Sequence, residues 1–526
     1  MKVTLLDYGA GNVRSVVNAL RALGAEVRTV KRPEDILSAE RLVFPGVGNF
    51  GSIMRALNEK GFVEPLREYL RQNRPFLGIC LGLQVLFEGS EEAPGVAGLS
   101  VFPGFVRRFR VSLSVPHIGW NGIKPVKPSR LFRGLSGEEK FYFVHSYYVD
   151  PADPALVLTR TDYEVEFVSA VESGNIVALQ FHPEKSGPAG LKILENFLSP
   201  EGEAVLPPRI PERTRLAKRI IACLDVRSDD EGRLVVTKGL QYDVREGGRV
   251  RDMGDPVDLA HLYFREGADE ITFLNITGFR HFPLKDQPML EVLRRTSERV
   301  FVPLTIGGGI RDFTDRDGTS YSALEVASAY FRAGADKVSI GSDAVYIVED
   351  YLRRGGPSGN SSIETISRVY GRQAVVISID PKRCYVKSPS ETEYPVIETG
   401  IPGPNGERYC WFQCTVKGGR EAREVDAVTL ARVCEELGAG EILLNSIDRD
   451  GTNLGYDLEL IQAVSEAVSI PVIASSGAGR PEHFYEVFTR TRAEAALAAG
   501  IFHRREVEIP ALKRYLREKG IEVRLV

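Results

Sequence analysis

Cysteine is scarce in this chain of 526 residues, and its six cysteines are scattered. Such usage excludes the disulfide framework of a small secreted domain and indicates a reducing compartment. Cys410 and Cys414 are spaced like half of a zinc site, but no second Cys/His pair lies near them. The seven histidines show no His-x-x-x-His spacing. We therefore expect neither a metal nor an organic cofactor.

Long apolar runs and an excess of one charge are also missing. No apolar run approaches the roughly 20 residues that cross a bilayer. The net charge of −4 gives no reason to expect nucleic-acid binding. The strand-like residues 3–7 leave no room for a targeting segment before them. We expect a cytoplasmic protein without a membrane or nucleic-acid partner.

The length predicts two to four domains. Residues 1–200 alternate β-branched runs with helical patterns, which is typical of an open α/β sheet. Residues 201–214 are rich in proline and are interpreted as a linker. Residues 215–526 contain eight apolar runs, each followed by a helical stretch, and this inventory predicts a (β/α)8 TIM barrel.

The barrel half shows an internal repeat. Its first strand ends in Leu224-Asp225 and its fifth in Ile379-Asp380, while strands three and seven both end in glycine-rich turns. The pattern indicates a doubled half-barrel. Residues 383–422 interrupt the repeat, and we expect them to form a loop insertion that closes over the substrate as a lid. Within it, Lys417-Gly-Gly-Arg420 is a candidate hinge and phosphate contact.

Cys80 lies where an apolar strand runs into a helix, in Arg74-Pro-Phe-Leu-Gly-Ile-Cys-Leu-Gly-Leu-Gln84. A nucleophile on such a turn is lifted out of the sheet and lies beside the N–H groups of a helix start. His182 and Glu184 follow a second apolar run and can act as a base and the group that orients it. A buried, inert thiol is the alternative for Cys80, but the two motifs together favour a catalytic triad.

Two glycine-rich turns at strand ends suit phosphate, because glycine lets the backbone approach an anion closely at a helix start. Tight turns alone would also require glycine. Two such turns on opposite sides of a barrel predict a ligand with two phosphates. The candidate phosphate-binding residues are Gly308, Gly309, Gly341, Ser342, Ser476, Gly477, Ala499 and Gly500.

Aspartates stand between these turns. Asp225, Asp380 and Asp450 follow barrel strands one, five and six. Carboxylates that face each other can divide general-acid and general-base roles, although a strand-end aspartate can equally cap the next helix. Lys238 is a further candidate for a phosphate contact, or an ordinary surface lysine.

These motifs carry a family resemblance. Gly78-Ile-Cys-Leu-Gly82 with His182-Pro-Glu184 resembles the class I glutamine amidotransferases. Ala222-Cys-Leu-Asp225 with Asp448-Arg-Asp-Gly451 resembles the cyclase barrel of histidine biosynthesis. Joined in one chain, the two halves resemble the fused, bifunctional imidazole glycerol phosphate synthase family. The resemblance covers nearly the whole chain apart from the linker and the insertions.

For the first half, the resemblance implies that Cys80 attacks the carboxamide of L-glutamine while His182 moves the proton and Glu184 orients the imidazole. It implies an oxyanion loop at Pro45-Gly-Val-Gly48, which contains Gly46 and Gly48, and contacts to substrate glutamine from Gln84, Ser146 and Tyr147.

For the barrel, the resemblance implies a reaction of ammonia with the bisphosphate PRFAR, giving imidazole glycerol phosphate and AICAR. Asp225 would be the base and Asp450 the acid, next to Gly451. The implied ammonia gate at the strand starts consists of Arg219, Glu270, Lys337 and Glu441. Without the resemblance, these four charges would be interpreted as a stabilising salt-bridge ring. Because both functions share one chain, we expect a monomer.

Two other functions stay open at this point. The barrel could be a bisphosphate isomerase of the same pathway, which would leave a glutaminase without purpose. Alternatively, the first half could be a glutamine sensor that regulates the barrel, although the intact set of Cys80, His182 and Glu184 argues against a sensor.

Overall fold

A computed structural model describes the chain apart from residues 10, 200, 232, 238–244, 247–248, 251, 277–283 and 285–286. Among the described residues, no helix has the length and apolar character that crossing a bilayer requires. The predicted fold class is confirmed: a mixed α/β sheet domain precedes a closed barrel of eight parallel strands.

The first half is built on a sheet whose central strands are parallel. Its strands are Lys2–Leu5, Glu26–Thr29, Leu42–Gly46, Phe76–Cys80, Gly104–Arg108, Lys124–Pro125, Tyr147–Pro151, Val157–Tyr163, Val165–Ser173 and Ile176–Leu179. A separate ribbon pairs His117–Asn121 with Phe141–His145. The helices of this half are Val13–Ala22, Pro33–Leu37, Phe50–Glu59, Val63–Arg71, Leu81–Gln84 and Gly187–Leu198, with short 3-10 turns at Arg130–Phe132, Pro154–Leu156 and Pro183–Lys185.

Phe76–Cys80 occupies the middle of this sheet because every one of its residues is apolar enough to be buried on both faces. Leu42–Gly46 pairs with it on one side and Ile176–Leu179 on the other, both in parallel. Parallel strands end at the same sheet edge, so the chain after residue 80 and the chain after residue 179 emerge side by side.

The barrel closes where Arg219 pairs with Ala495. Its eight strands, in sequence and spatial order, are Arg219–Ser228, Glu270–Asn275, Leu304–Gly307, Lys337–Ile340, Val375–Ile379, Glu441–Asn445, Val472–Ser475 and Ala495–Ala498, and Leu234–Thr237 adds an antiparallel strand to the first. Its helices are Pro256–Arg265, Pro288–Ser297, Ala323–Ala333, Ser342–Arg354, Ser362–Tyr370, Ala427–Leu437, Leu458–Ala467, Pro481–Arg490, Gly500–His503 and Ile509–Glu518. Short two-residue strands pair Arg245–Glu246 with Arg249–Val250 and Phe313–Thr314 with Ser320–Tyr321.

Alternation along the first barrel strand decides which side chains face the interior. Ala222 and Leu224 pack outward against the helices, whereas Ile221 and Cys223 belong to the small cluster inside the barrel. Since the side-chain period of a strand is two, Asp225 points to the same side as Cys223, at the end of the strand where barrel sites are built.

The prediction of a loop insertion at residues 383–422 is wrong. The structure forms an antiparallel sheet there from Pro381–Val386, Ile397–Glu398, Tyr409–Val416 and Glu421–Asp426. The signal was present in Tyr409–Val416, which is rich in aromatic and β-branched residues. Lys417-Gly-Gly-Arg420 is the turn between its last two strands rather than a hinge at the base of a lid.

Arg383 fastens this inserted sheet to the barrel. Its guanidinium is almost fully buried and forms a two-pronged ion pair with Asp457, with Nε at 2.8 Å from Oδ2 and Nη2 at 2.5 Å from Oδ1. Nη2 also donates to Glu459 at 2.9 Å, and Nη1 donates to Thr399 at 2.8 Å. Asp457 caps the helix Leu458–Ala467, so one arginine joins the insertion to the barrel wall.

The two halves meet at the N-terminal ends of the barrel strands. Lys185 forms an ion pair with Asp336 at 2.7 Å, and Asn12 Nδ2 donates to the same aspartate at 2.8 Å. Trp120 Nε1 donates to the carbonyl of Asp269 at 3.1 Å, while the guanidinium of Arg524 stacks 3.9 Å above the Trp120 ring. Polar contacts of this kind fix the rotation of one half on the other.

We predict that Arg383→Ala lowers the free energy of unfolding by about 3–5 kcal/mol, because it leaves the carboxylate of Asp457 buried without its partner. Urea denaturation followed by fluorescence measures the change. The control is Arg353→Ala, which removes an exposed ion pair to Asp350 and should cost less than about 1 kcal/mol. Equal effects of the two substitutions would contradict the anchoring role of Arg383.

Candidate active sites in the two halves

Cys80 adopts a backbone conformation that few residues other than glycine tolerate, with φ at 52° and ψ at −105°. The chain turns directly from strand Phe76–Cys80 into helix Leu81–Gln84. Gly82 makes the turn possible, since a Cβ atom there would lie 2.1 Å from the carbonyl oxygen of Phe44. This strained strand-to-helix turn matches the geometry expected of a nucleophile.

His182 and Glu184 stand on the neighbouring chain segment, as the parallel pairing requires. His182 Nδ1 lies 2.7 Å from Glu184 Oε1, and both side chains are buried. Gln180 Nε2 donates to Cys80 Sγ at 3.5 Å, which ties the two segments together. Burial by itself lowers the pKa of His182, but Glu184 and the nearby Cys80 outweigh burial and raise that pKa well above its usual value. His182 can therefore serve as general base and acid beside the thiol.

A cavity of about 280 Å³ opens beside the thiol, and it is bounded by both halves of the chain. Of the residues predicted to contact glutamine, Gly48, Gln84, Ser146 and Tyr147 line it together with Cys80. Gly46 does not line it. It packs under the nucleophile turn instead, where a Cβ atom would lie 2.6 Å from Gly82 N.

Four charged residues that line the cavity were missed by sequence reasoning: Glu92, Arg108, Arg368 and Arg372. Glu92 accepts a hydrogen bond from the backbone N–H of Phe50 at 2.8 Å, yet burial raises the pKa of its carboxyl to about 7. No sequence motif marks these positions, because their role depends on how separate loops and the two halves meet.

The aspartates predicted for the barrel lie at the C-terminal ends of its strands. Asp225 lies near the C-terminal end of strand one, and Asp380 directly follows strand five. These two strands are opposite each other in a barrel of eight, and both Asp225 and Asp450 are buried. Asn445 Nδ2 donates to Asp380 Oδ1 at 2.8 Å. Burial, reinforced by the charge of Asp450, raises the pKa of Asp380 to about 6 despite this bond. Burial therefore distinguishes the carboxyl of Asp380 from an exposed carboxyl.

Both predicted glycine-rich turns contain residues with positive φ angles, and their glycines carry no side chain that would cover the backbone. Gly308 and Gly309 have φ of 93° and 81°, and Ser476 and Gly477 have φ of 75° and 99°. Each turn is extended by the start of a helix on the adjacent strand, at Gly341 and Ser342 for one and at Ala499 and Gly500 for the other. The two clusters lie on opposite sides of the barrel.

Three predicted substrate contacts remain. Gly451, with φ of 72°, follows Asp450 directly. The turn at Lys417 reaches the first glycine-rich cluster, where the backbone N–H of Lys417 donates to Ser342 Oγ at 3.0 Å. Lys238 lies outside the described residues.

At the opposite end of the barrel, the four predicted gate residues form a closed ring of alternating charge. Arg219 pairs with Glu270 at 3.0 Å and with Glu441, and Lys337 pairs with Glu270 at 2.7 Å and with Glu441 at 2.8 Å. None of the four is more than 1% exposed. The two cations hold the pKa of Glu441 below its usual range although burial opposes them.

A small enclosed cavity of about 30 Å³ lies between the triad and this ring. His182 and Tyr142 line it from the first half, and Lys337, Tyr370 and Ala374 line it from the barrel. Its volume is that of about one small molecule the size of water. This small cavity therefore lies between a residue of the triad and a residue of the charged ring.

Comparison with known proteins agrees with this arrangement. A family model described as glutamine amidotransferase class-I matches residues 4–200, and one described as histidine biosynthesis protein matches residues 219–508. The chain is 58% identical to the chloroplastic imidazole glycerol phosphate synthase hisHF of Arabidopsis thaliana, over 99% of this chain and 89% of the relative. It is 55% identical to imidazole glycerol phosphate synthase hisHF of Schizosaccharomyces pombe, over 100% of both chains.

A third relative covers one half only. The imidazole glycerol phosphate synthase subunit HisF of Methanosphaera stadtmanae is 46% identical over 59% of this chain and 100% of its own length. The barrel half thus corresponds to a separate subunit elsewhere, while the fused relatives match from end to end. The chain belongs to the imidazole glycerol phosphate synthase family, in the bifunctional form that joins a class I glutamine amidotransferase to a histidine-biosynthesis barrel.

Proposed function

We propose that the chain hydrolyses L-glutamine in its first half and delivers the ammonia through the barrel to PRFAR, yielding imidazole glycerol phosphate, AICAR and water. The observation that carries this proposal is the small cavity between His182 and Lys337. It supports a path from the thiol site, which can release ammonia, to the barrel with its two glycine-rich clusters at the far end.

Glutamine hydrolysis begins with the thiolate of Cys80. Its Sγ attacks the carboxamide carbon, and His182 gives a proton to the nitrogen as the C–N bond breaks. Ammonia leaves, and water then hydrolyses the glutamyl thioester to glutamate while His182 takes up a proton again. Glu184 keeps the imidazole oriented through its 2.7 Å contact. The loop with Gly46 and Gly48 is proposed to supply an oxyanion donor.

The α-amino and α-carboxylate groups of glutamine carry charges that the lining of the cavity can complement. Gln84, Ser146 and Tyr147 are proposed to hold the substrate with polar contacts. We assign the α-ammonium group to Glu92, whose half-buried carboxyl lines the cavity and accepts a hydrogen bond from the backbone N–H of Phe50 at 2.8 Å. A bound ammonium would favour the ionised form and lower the raised pKa of Glu92.

In the barrel, Asp225 is proposed as the general base and Asp450 as the general acid of cyclisation. The two phosphate groups of PRFAR would occupy the two glycine-rich clusters, where exposed N–H groups and helix starts favour anions. Asp380, Gly451 and Lys238 are proposed as further substrate contacts. Arg219, Glu270, Lys337 and Glu441 would form the gate that ammonia passes.

The organisation proposed for the chain follows the same division. Residues 1–200 form the glutaminase domain, 201–214 the linker and 215–526 the cyclase barrel. A monomer suffices, because both activities share one chain. All six cysteines are free, which supports the cytoplasm as its compartment. The alternatives of an isomerase and of a glutamine sensor find no support in relatives that are named synthases over the full chain.

We predict that Cys80→Ala abolishes glutamine-dependent formation of imidazole glycerol phosphate, because no thioester can form. Formation with added ammonium salt should stay within about twofold of the wild type, since the barrel is untouched. Steady-state assays with each nitrogen source measure both rates. Cys384→Ala, in the inserted sheet, is the control and should keep both activities. Loss of the ammonium-dependent reaction in Cys80→Ala would refute this division of labour.

We predict that Asp225→Asn and Asp450→Asn each lower cyclisation by at least about 100-fold with either nitrogen source, as expected when a general base or acid is removed. Glutamate release from glutamine in the same variants shows that the first site still works. Near-normal cyclisation in either variant would exclude that residue from its proposed role.

A further inference from the structure

The glutamine cavity is completed by the barrel. Helix Ser362–Tyr370 ends at the domain interface, and the residues that follow it, Gly371, Arg372 and Gln373, line the same cavity as Cys80. The wall that faces the thiol loop is therefore made by the other domain. A Cβ atom on Gly48 of that loop would lie 3.0 Å from the carbonyl oxygen of Val369, which shows how closely the two domains approach there.

Arg372 differs from the other buried or half-buried cations in its bonding. It is half-buried, and within the described part of the chain its guanidinium has neither a hydrogen bond nor an ion pair at bonding distance. Every other buried or half-buried cation mentioned above has a carboxylate or carbonyl partner. Burial, and then the nearby charge of Arg108, lower the pKa of Arg372, and the charge of Glu435 opposes them only in part.

The charges around the cavity complement a free amino acid. The carboxamide of a bound glutamine must reach Cys80, which leaves its α-ammonium and α-carboxylate groups for the remaining walls. Glu92 supplies the one negative charge among the described lining residues, and Arg108, Arg368 and Arg372 supply the positive charges. Arg108 and Arg368 are exposed, and Arg368 Nη2 already donates to the carbonyl of Gly359 at 2.8 Å. Arg372 is partly shielded from water, where an ion pair is worth more.

We infer that Arg372, a residue of the barrel, binds the α-carboxylate of the glutamine that is hydrolysed in the other domain. The inference rests on the proposed glutaminase function and adds a substrate contact across the interface. A guanidinium fits a carboxylate with two parallel N–H bonds. Glutamine affinity then depends on how the barrel is docked, since the barrel carries part of the binding site.

The test compares Arg372→Ala with the wild-type full chain. We expect the KM for glutamine to rise about 10-fold or more, the loss expected for a charged hydrogen-bonded contact, while kcat for glutamate formation changes less than about threefold. Ammonium-dependent cyclisation should stay unchanged. Arg372→Lys should recover part of the affinity, because the charge returns without the two-pronged geometry.

A matched control is an exposed barrel arginine at the domain interface that does not line the cavity. Arg332 lies in helix Ala323–Ala333, and its carbonyl accepts a hydrogen bond from Arg14 of the other half at 3.0 Å. Arg332→Ala should leave the KM for glutamine within about twofold of the wild type. A rise equal to that in Arg372→Ala would show a general loss of positive charge or of interface structure, and would overturn the specific contact.

The most specific comparison uses a second substrate, 4-aminobutanamide, which keeps the carboxamide and the amine of glutamine but has no α-carboxylate. If Arg372 binds that carboxylate, Arg372→Ala should leave kcat/KM for this amide nearly unchanged, although it lowers kcat/KM for glutamine. Equal losses for both amides, or no loss for glutamine, would overturn the inference. Failure of the wild type to hydrolyse glutamine would instead refute the proposed function, so the two failures are distinguishable.

Discussion

The arrangement depends on four charges that are buried where two domains meet. Arg219, Glu270, Lys337 and Glu441 are each at most 1% exposed, and the closed ring gives every one of these charges two opposite partners. Burial of such charges without partners would be strongly destabilising. Removing any member would leave an uncompensated charge. The ring therefore closes the barrel floor with groups that must remain paired, and the glutaminase domain covers it from outside.

Ammonia explains why such a closed floor is useful. In water, ammonia is protonated and diluted, and the ammonium ion is no nucleophile. Both His182 and Lys337 of the ring line the cavity of about 30 Å³, which supports the proposal that released ammonia reaches the barrel before it meets solvent. On this proposal, the interface contacts of Lys185, Asn12 and Trp120 help to shield its path.

Much of the two candidate sites was predictable from local sequence. Cys80 on a strand-to-helix turn, the adjacent His182 and Glu184, and the strand-end aspartates follow from hydrophobic runs and their spacing, because parallel strands end at a common edge. Glu92 and Arg372 were not predictable, since only the docking of separate segments brings them to one cavity. The sheet at residues 383–422 was missed because its long connections resemble a loop, although Tyr409–Val416 has strand composition.

The central claim is that nitrogen passes between the sites without entering bulk water. The most direct measurement supplies glutamine labelled with nitrogen-15 in the amide, together with unlabelled ammonium salt and PRFAR. Mass spectrometry of the imidazole product then reports the source of its nitrogen. A sealed path predicts product that keeps the full label as long as unlabelled ammonium stays below the concentration that supports the ammonium-dependent reaction by itself. Product whose label follows the isotopic composition of the solution would contradict the account.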